Sequence, residues 1–238
     1  MRQKLRRIGM RFQTKVLIAW AFLLFSAPAV FAAEDLKSVL AQLDTSAARF
    51  HSASASFEQV NEMTEPIPDK DVLNGSVYCE RKGKATQLGI HVATENGKSV
   101  PRVITVKGGV GSMYEKLTNL VTTSKGVGKY ESYLSIGFGA SGKDLEASWN
   151  INYQGAETLD SVKVAKLELV PKDPEVLKIF RKVTIWIDPE RGVSLKQIFD
   201  QGQGQSRTVT YSNIKLNQSL PGDAFSFKTD SKTQFVNR

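Results

Sequence analysis

Beyond Ala53 the apolar residues recur at every second position, in short runs separated by turn residues, and that period commits most of the chain to β-sheet. In LNGSVYCER, Leu73, Val77, Cys79 and Arg81 share one face, while Asn74, Ser76, Tyr78 and Glu80 share the other. TQLGIHVA puts Leu88, Ile90 and Val92 on one side. Asn96-Gly97 is a strong two-residue hairpin signal, with VPRVITV as its return strand. SMYEKLTNLVTTS, WNINY, VKVAKLELV, KVTIWI, VSLKQIF, SRTVTYSNIKL and AFSF continue the series. Turns fall at Lys107-Gly108-Gly109, at 188–192 and at 201–204, so about ten or eleven strands are expected. An antiparallel sheet of that length has one dry face, curls, and needs a cover.

Little helix is available to cover it. EDLKSVLAQLDTSAARF places Leu36, Val39, Leu40, Leu43, Ala47 and Phe50 on one stripe at steps of three and four. The second helical candidate, residues 129–148, is broken by glycines. With no repeat or linker between the strands, residues 33–238 read as a single α+β domain, mostly antiparallel β.

The first 32 residues belong to a different problem. A basic start with six Lys and Arg and no acid is followed by the apolar VLIAWAFLLF, too short to span a bilayer as a helix. Val30 and Ala32 are the small residues of a cut before Ala33, so residues 1–32 are expected to be a removed export signal. No cysteine follows to carry an acyl anchor, and the expectation is a soluble periplasmic protein. Of the 32 basic and 24 acidic residues in the chain, 26 basic ones remain after the cut, a net of +2. The basic balance therefore belongs mostly to the signal and does not argue for nucleic-acid binding.

Catalytic and metal chemistry find little support. His51, His91 and Cys79 are too few and too scattered for a zinc spacing, and no nucleophile elbow is present. Asp188 and Asp200 read as strand-end turn residues. GFGASGKD, residues 137–144, comes within one residue of a phosphate-binding loop, but Asp144 stands where a hydroxyl is needed and no βαβ unit surrounds it. A bend between two short helical pieces is the expectation, with no catalytic residue, metal or cofactor. Arg81 has two readings: a strand-end arginine reaching water, or an inward donor that holds something over the dry face.

Taken together the pieces resemble the outer-membrane lipoprotein carrier family, the LolA-like proteins. DLKSVLAQL…FHSASASFEQV is similar to the family's opening helix and first strand, and NGSVYCERKGK to its arginine-bearing strand, with Lys82 where a proline is usual. KVTIWIDPERGVSLKQIF…SRTVTYSNIKLNQSLPGDAFSFKT resembles its late strand, turn and return strands. The resemblance implies an incomplete, unclosed β-barrel covered by the N-terminal helix and a central helical lid, enclosing an apolar cavity. It implies a lipid-binding cavity at Leu36, Leu40, Leu43, Leu73, Val77, Cys79, Leu88, Ile90 and Val92, a lid at Leu134, Ile136 and Phe138, and Arg81 as lid latch. It further implies a monomeric, non-enzymatic chaperone carrying acylated lipoproteins from an inner-membrane ABC-type release complex to an outer-membrane acceptor. A carrier or sensor of another lipid is the alternative on the same fold.

Overall fold

The computed structural model describes residues 29–238 apart from 84, 131, 132, 134 and 135. Residues 1–28 of the expected export segment, and Leu134 of the expected lid, lie outside the described residues. The first described element, helix α1 (Ala29–Arg49), runs across the expected cut at Ala33. None of the described helices is long and apolar enough to cross a membrane.

Alternation becomes one twelve-stranded sheet. In chain order its strands are β1 (Ser52–Met63), β2 (Asp69–Lys82), β3 (Ala85–Glu95), β4 (Lys98–Lys107), β5 (Val110–Glu115) and β6 (Leu120–Lys125). They continue as β7 (Trp149–Leu159), β8 (Val162–Pro171), β9 (Lys182–Asp188), β10 (Val193–Gly202), β11 (Gln205–Leu216) and β12 (Gln234–Asn237). The spatial order is β12-β6-β5-β4-β3-β2-β1-β11-β10-β9-β8-β7, so β1 joins an early meander to a late one and the two ends stay unpaired. Neighbours are antiparallel except β12, which lies parallel to β6. The sheet is unclosed.

Turn chemistry sets the register. Asn96 and Gly97 both adopt positive φ, 50° and 74°, the geometry of the two-residue hairpin that joins β3 to β4. Asp188 accepts from the backbone N–H groups of Glu190 and Arg191 at 3.0 and 3.1 Å, and Asp200 from that of Gly202 at 2.8 Å. Both carboxylates are occupied in turns, as their sequence positions suggest.

One reading of the sequence needs correction. AFSF is not a strand: residues 221–228 cross the outer face of the sheet, with the Phe227 ring stacked on Tyr114 at 5.3 Å. Gly89 permits the crossing, because a Cβ there would collide with the Ala224 carbonyl. Residues 129–148 hold the end of a 3-10 turn (Val127–Tyr130), a helical position at Tyr133, an irregular stretch over 136–141, and the short helix α2 (Gly142–Ser148), so the described residues place helical pieces on both sides of the glycine-rich bend.

The core lies on the concave face. The α1 stripe of Val39, Leu40, Leu43, Ala47 and Phe50 is buried, with Leu36 half-buried at its end. Leu43, fully buried at 0% exposure, contributes roughly 1.5–3 kcal/mol. α1 covers only part of the dry face and packs beside α2 and β7. The rest is roofed by the 136–141 stretch and by α3 (Pro174–Leu177) with the residues that follow it.

Candidate functional site: an apolar cavity under a pinned segment

Beneath that roof lies a cavity of about 380 Å³, walled mainly by carbon. Val77 from β2, Leu88 and Ile90 from β3, and Phe57 from β1 form one side. Phe199 from β10 and Val209 and Tyr211 from β11 form the other, with Ile136, Val176 and Phe180 closing over. Alternation explains these choices, since each strand sends every second side chain to the concave face. Phe180 meets the edge of Phe199 at 5.7 Å and stacks on Trp149 at 6.0 Å, which makes the wall aromatic where the helices end. Ile179 also lines the space yet is 48% exposed, so the cavity opens to water beside it.

Residues 136–139 are fastened along their whole length. The Ser194 N–H donates to the Gly137 carbonyl at 2.8 Å, and the Gly139 N–H donates to the Gly192 carbonyl at 3.0 Å. Phe138 forms an isolated antiparallel bridge with Val193 and sets its ring edge-on to Tyr211 at 5.0 Å. From below, the buried Gln197 side-chain amide donates to the Ile136 carbonyl at 2.7 Å and its oxygen accepts from the Tyr211 hydroxyl at 3.2 Å. Burial pushes the Tyr211 phenol well above its ordinary value, with the Arg207 guanidinium drawing it back, so the hydroxyl stays a donor.

Arg81 closes the other side. Its Nη1 donates to the Ala47 carbonyl and its Nη2 to the Gly139 carbonyl, both at 2.6 Å. Ala47 lies in the last turn of α1, where carbonyls lack intrahelical partners and a cation suits the helix dipole. The guanidinium also stands 5.4 Å from the centre of the Phe50 ring. One side chain thus ties three separate elements together: α1, β2 and the 136–139 stretch.

The glycines of GFGASGKD serve close packing. A Cβ on Gly139 would enter the Phe50 ring, one on Gly142 would meet the Leu40 carbonyl, and one on Gly137 would lie 2.5 Å from Gln197 Nε2. Asp144 completes a capping box: its N–H donates to Ser141 Oγ at 3.0 Å and its carboxylate accepts the Ser141 N–H at 3.1 Å. Asp44 accepts the next N–H, that of Lys143, at 3.2 Å. The helix start is therefore filled by the protein's own carboxylates and offers no phosphate cradle. Among the described residues no group of three or more His, Cys, Asp or Glu is placed to hold a metal ion.

Of the residues expected around the cavity, Val77, Leu88 and Ile90 lie on its wall. Leu40, Leu43, Leu73, Cys79 and Val92 are buried in the same core behind that wall, and Leu36 packs against its edge. Ile136 lines the cavity and Phe138 is buried beside it. Sequence reasoning missed Phe199, Arg207, Val209 and Tyr211. The period that placed Val77 and Leu88 carries the last three as well, since Arg207, Val209 and Tyr211 alternate within SRTVTYS.

No family model matches the chain. An uncharacterised protein of Methanocaldococcus jannaschii is 30% identical over 116 residues, 48% of this chain; the chain spans about a third of that relative's length, 32% of it. Among solved structures, an uncharacterised conserved protein from Thermus thermophilus superposes with a TM-score of 0.54 at 14% identity, over 86% of this chain and 99% of its own. MucB superposes at 0.50 with 13% identity, over 85% of this chain and 66% of its own. A LolA superfamily protein from Nitrosomonas europaea gives 0.40 at 15% identity, over 81% of this chain and 97% of its own. At such identities the likeness is one of fold.

Proposed function

We propose, from this LolA-like fold and the cavity it forms, that the protein is a periplasmic carrier of acyl chains, seen with its lid closed. The observation that carries the reading is the Arg81 clasp. A buried apolar space is joined to a roof that is held by two charge-assisted bonds to backbone, not by interdigitated hydrophobic packing alone. Such bonds contribute roughly 1.5–3 kcal/mol each. Burying an acyl chain yields about 0.8 kcal/mol per methylene, so a chain of ordinary length outweighs the clasp. Entry of a chain breaks the clasp, and its re-formation favours release. Binding that is strong yet reversible is what transfer between two membranes requires. Ile136 and Phe138 are the lid, with Leu134 as a further lid position, and no bond is made or cut.

Acylated lipoproteins, received from an inner-membrane ABC-type complex and passed to an outer-membrane acceptor, are the cargo that the resemblance to lipoprotein carriers implies. A free lipid is the second reading, and the cavity volume favours it. At roughly 30 Å³ per methylene-sized group, about the volume share of a water molecule, 380 Å³ holds on the order of a dozen such groups, one chain and not three.

Native mass spectrometry of the protein isolated from its own periplasm without detergent tests both. A bound acylated peptide or lipoprotein supports the first cargo, and a discrete free lipid supports the second. A protein that is empty and also ignores added acyl probes sinks the carrier reading.

A further inference from the structure

One side chain in the cavity does not suit a purely apolar cargo. Arg207, on β11, points to the concave face two residues from Val209 and lines the same space as Phe199 and Ile179. Its guanidinium lies 4.4 Å from the centre of the Phe199 ring, and its Nε is buried with no hydrogen-bond partner. No carboxylate lies within ion-pairing distance of it among the described residues. Other inward or half-buried arginines have a carboxylate: Arg102, whose Nε likewise makes no hydrogen bond, stands 3.6 Å from Glu95 and 3.3 Å from Glu115, and Arg191 donates to Asp188 at 2.6 Å. Burial lowers the tendency of Arg207 to hold its proton, but a guanidinium remains charged at neutral pH. A half-buried cation with no carboxylate partner carries a cost to the fold that the Phe199 ring offsets only in part.

We propose that Arg207 reads the charged end of the cargo: the cavity takes a single acyl chain whose head is an oxyanion, a carboxylate or a phosphate, held by the terminal nitrogens of Arg207. This rests on the acyl-carrier reading and names the cargo class within it. The planar fork of a guanidinium matches both oxyanions, and its two terminal nitrogens can make two parallel bonds to one head group. Position agrees with this assignment. Arg207 sits on the flank that opens beside Ile179, where a head group enters last, while Tyr211 and Ile136 lie under the lid. Four residues of strand separate Arg207 from Tyr211, about 13 Å, a span that one extended chain fills. Gln59, whose amide donates to Asn61 at 3.0 Å, gives the same end of the cavity its other polar wall.

The test uses the mature protein, with parinaric acid and its methyl ester as fluorescent probes. Wild type is expected to bind the acid about tenfold or more tightly than the ester. Arg207→Met is expected to weaken binding of the acid about tenfold more than binding of the ester, removing the preference, and Arg207→Lys to keep part of it. Competition by oleate, oleoyl-lysophosphatidate and monoolein then separates carboxylate from phosphate by which anion displaces the probe at lower concentration. Equal binding of acid and ester by wild type overturns the assignment, as does an equal loss of both in Arg207→Met, or displacement by monoolein where neither anion succeeds. Each of these leaves the carrier reading standing. Binding of neither probe by wild type sinks the carrier reading and the head-group assignment together.

Discussion

Arg81 and Arg207 both face the interior of this sheet, and they differ in what answers their charge. Arg81 stands over Phe50 and spends both terminal nitrogens on the carbonyls of Ala47 and Gly139. Arg207 stands over Phe199 with its Nε unpartnered. Each has an aromatic ring beneath it, so the ring does not decide the role. What decides it is backbone. At the lid end, a helix terminus and an irregular stretch present carbonyls that regular structure leaves free. At the open end Arg207 lies in the β1–β11–β10 ladder, where the main-chain groups of the strands pair with one another, and its Nε makes no hydrogen bond. The first arginine is a fastening complete within the chain; the second is complete only with something from outside.

Removing Arg81 is the most direct way to break that contrast, and the largest effect is expected there. Arg81→Leu deletes two charge-assisted bonds, leaving the Gly139 carbonyl without that donor and the Ala47 carbonyl with the Phe50 N–H at 3.3 Å, a loss of roughly 3–4 kcal/mol from lid closure. Amide hydrogen exchange over 136–139 and at Ser194 is expected to quicken about a hundredfold to a thousandfold, with β8 and β9 unchanged. Arg81→Lys is expected to fall between, because one ammonium cannot span both carbonyls in the fork's geometry. Unchanged protection in Arg81→Leu would mean that the lid is held by Gln197 and the Val193 bridge alone, and the two arginines would cease to differ in kind.

The inward direction of Arg81 was legible because period two, counted from Val77 and Cys79, leaves no other face for it. Most of the sheet was legible on the same ground, as was the α1 stripe through Leu43 and Phe50. β12 was not: QFVN is exposed at every position, so no alternation marks it, and it is defined by pairing with β6 across more than a hundred residues of chain. AFSF shows the converse, a strand-like pattern used to lay Phe227 on Tyr114 across a face. Arg207 escaped for a third reason. An inward charge within an apolar run reads as noise until the partners it lacks can be seen, and partners are a property of the folded chain.

A middle-sized effect is expected at Gln197, which stands between the two arginines and is satisfied at both ends by Ile136 and Tyr211. Gln197→Leu keeps the volume but strands a buried carbonyl and a hydroxyl. A loss of about 2–3 kcal/mol in urea unfolding is expected, as a lower midpoint with the slope unchanged. Because this residue is 2% exposed and reaches the lid from inside, its loss is also expected to speed exchange at the lid, by less than Arg81→Leu does. Stability within 0.5 kcal/mol of wild type, a margin typical of surface changes, would show that the lid carbonyls find other donors.

Arg207→Met is expected to move stability least of all, and its sign sharpens the contrast most. The substitution removes a cation–π contact worth about 0.5–1 kcal/mol at a partly exposed site. It also removes the cost of an unpaired, desolvated charge, while the Met side chain keeps the packing of the arginine stem against Phe199. The two changes oppose each other, so lipid-free protein is expected to unfold within about 1 kcal/mol of wild type, on the more stable side. Saturating oleate should then reverse the order, since a ligand stabilises by its own affinity for the folded state and wild type binds the carboxylate more tightly. A lipid-free loss above about 2 kcal/mol would put Arg207 in the same class as Arg81, a residue that holds the fold together, because only an interaction made within the chain can be missed before any cargo arrives.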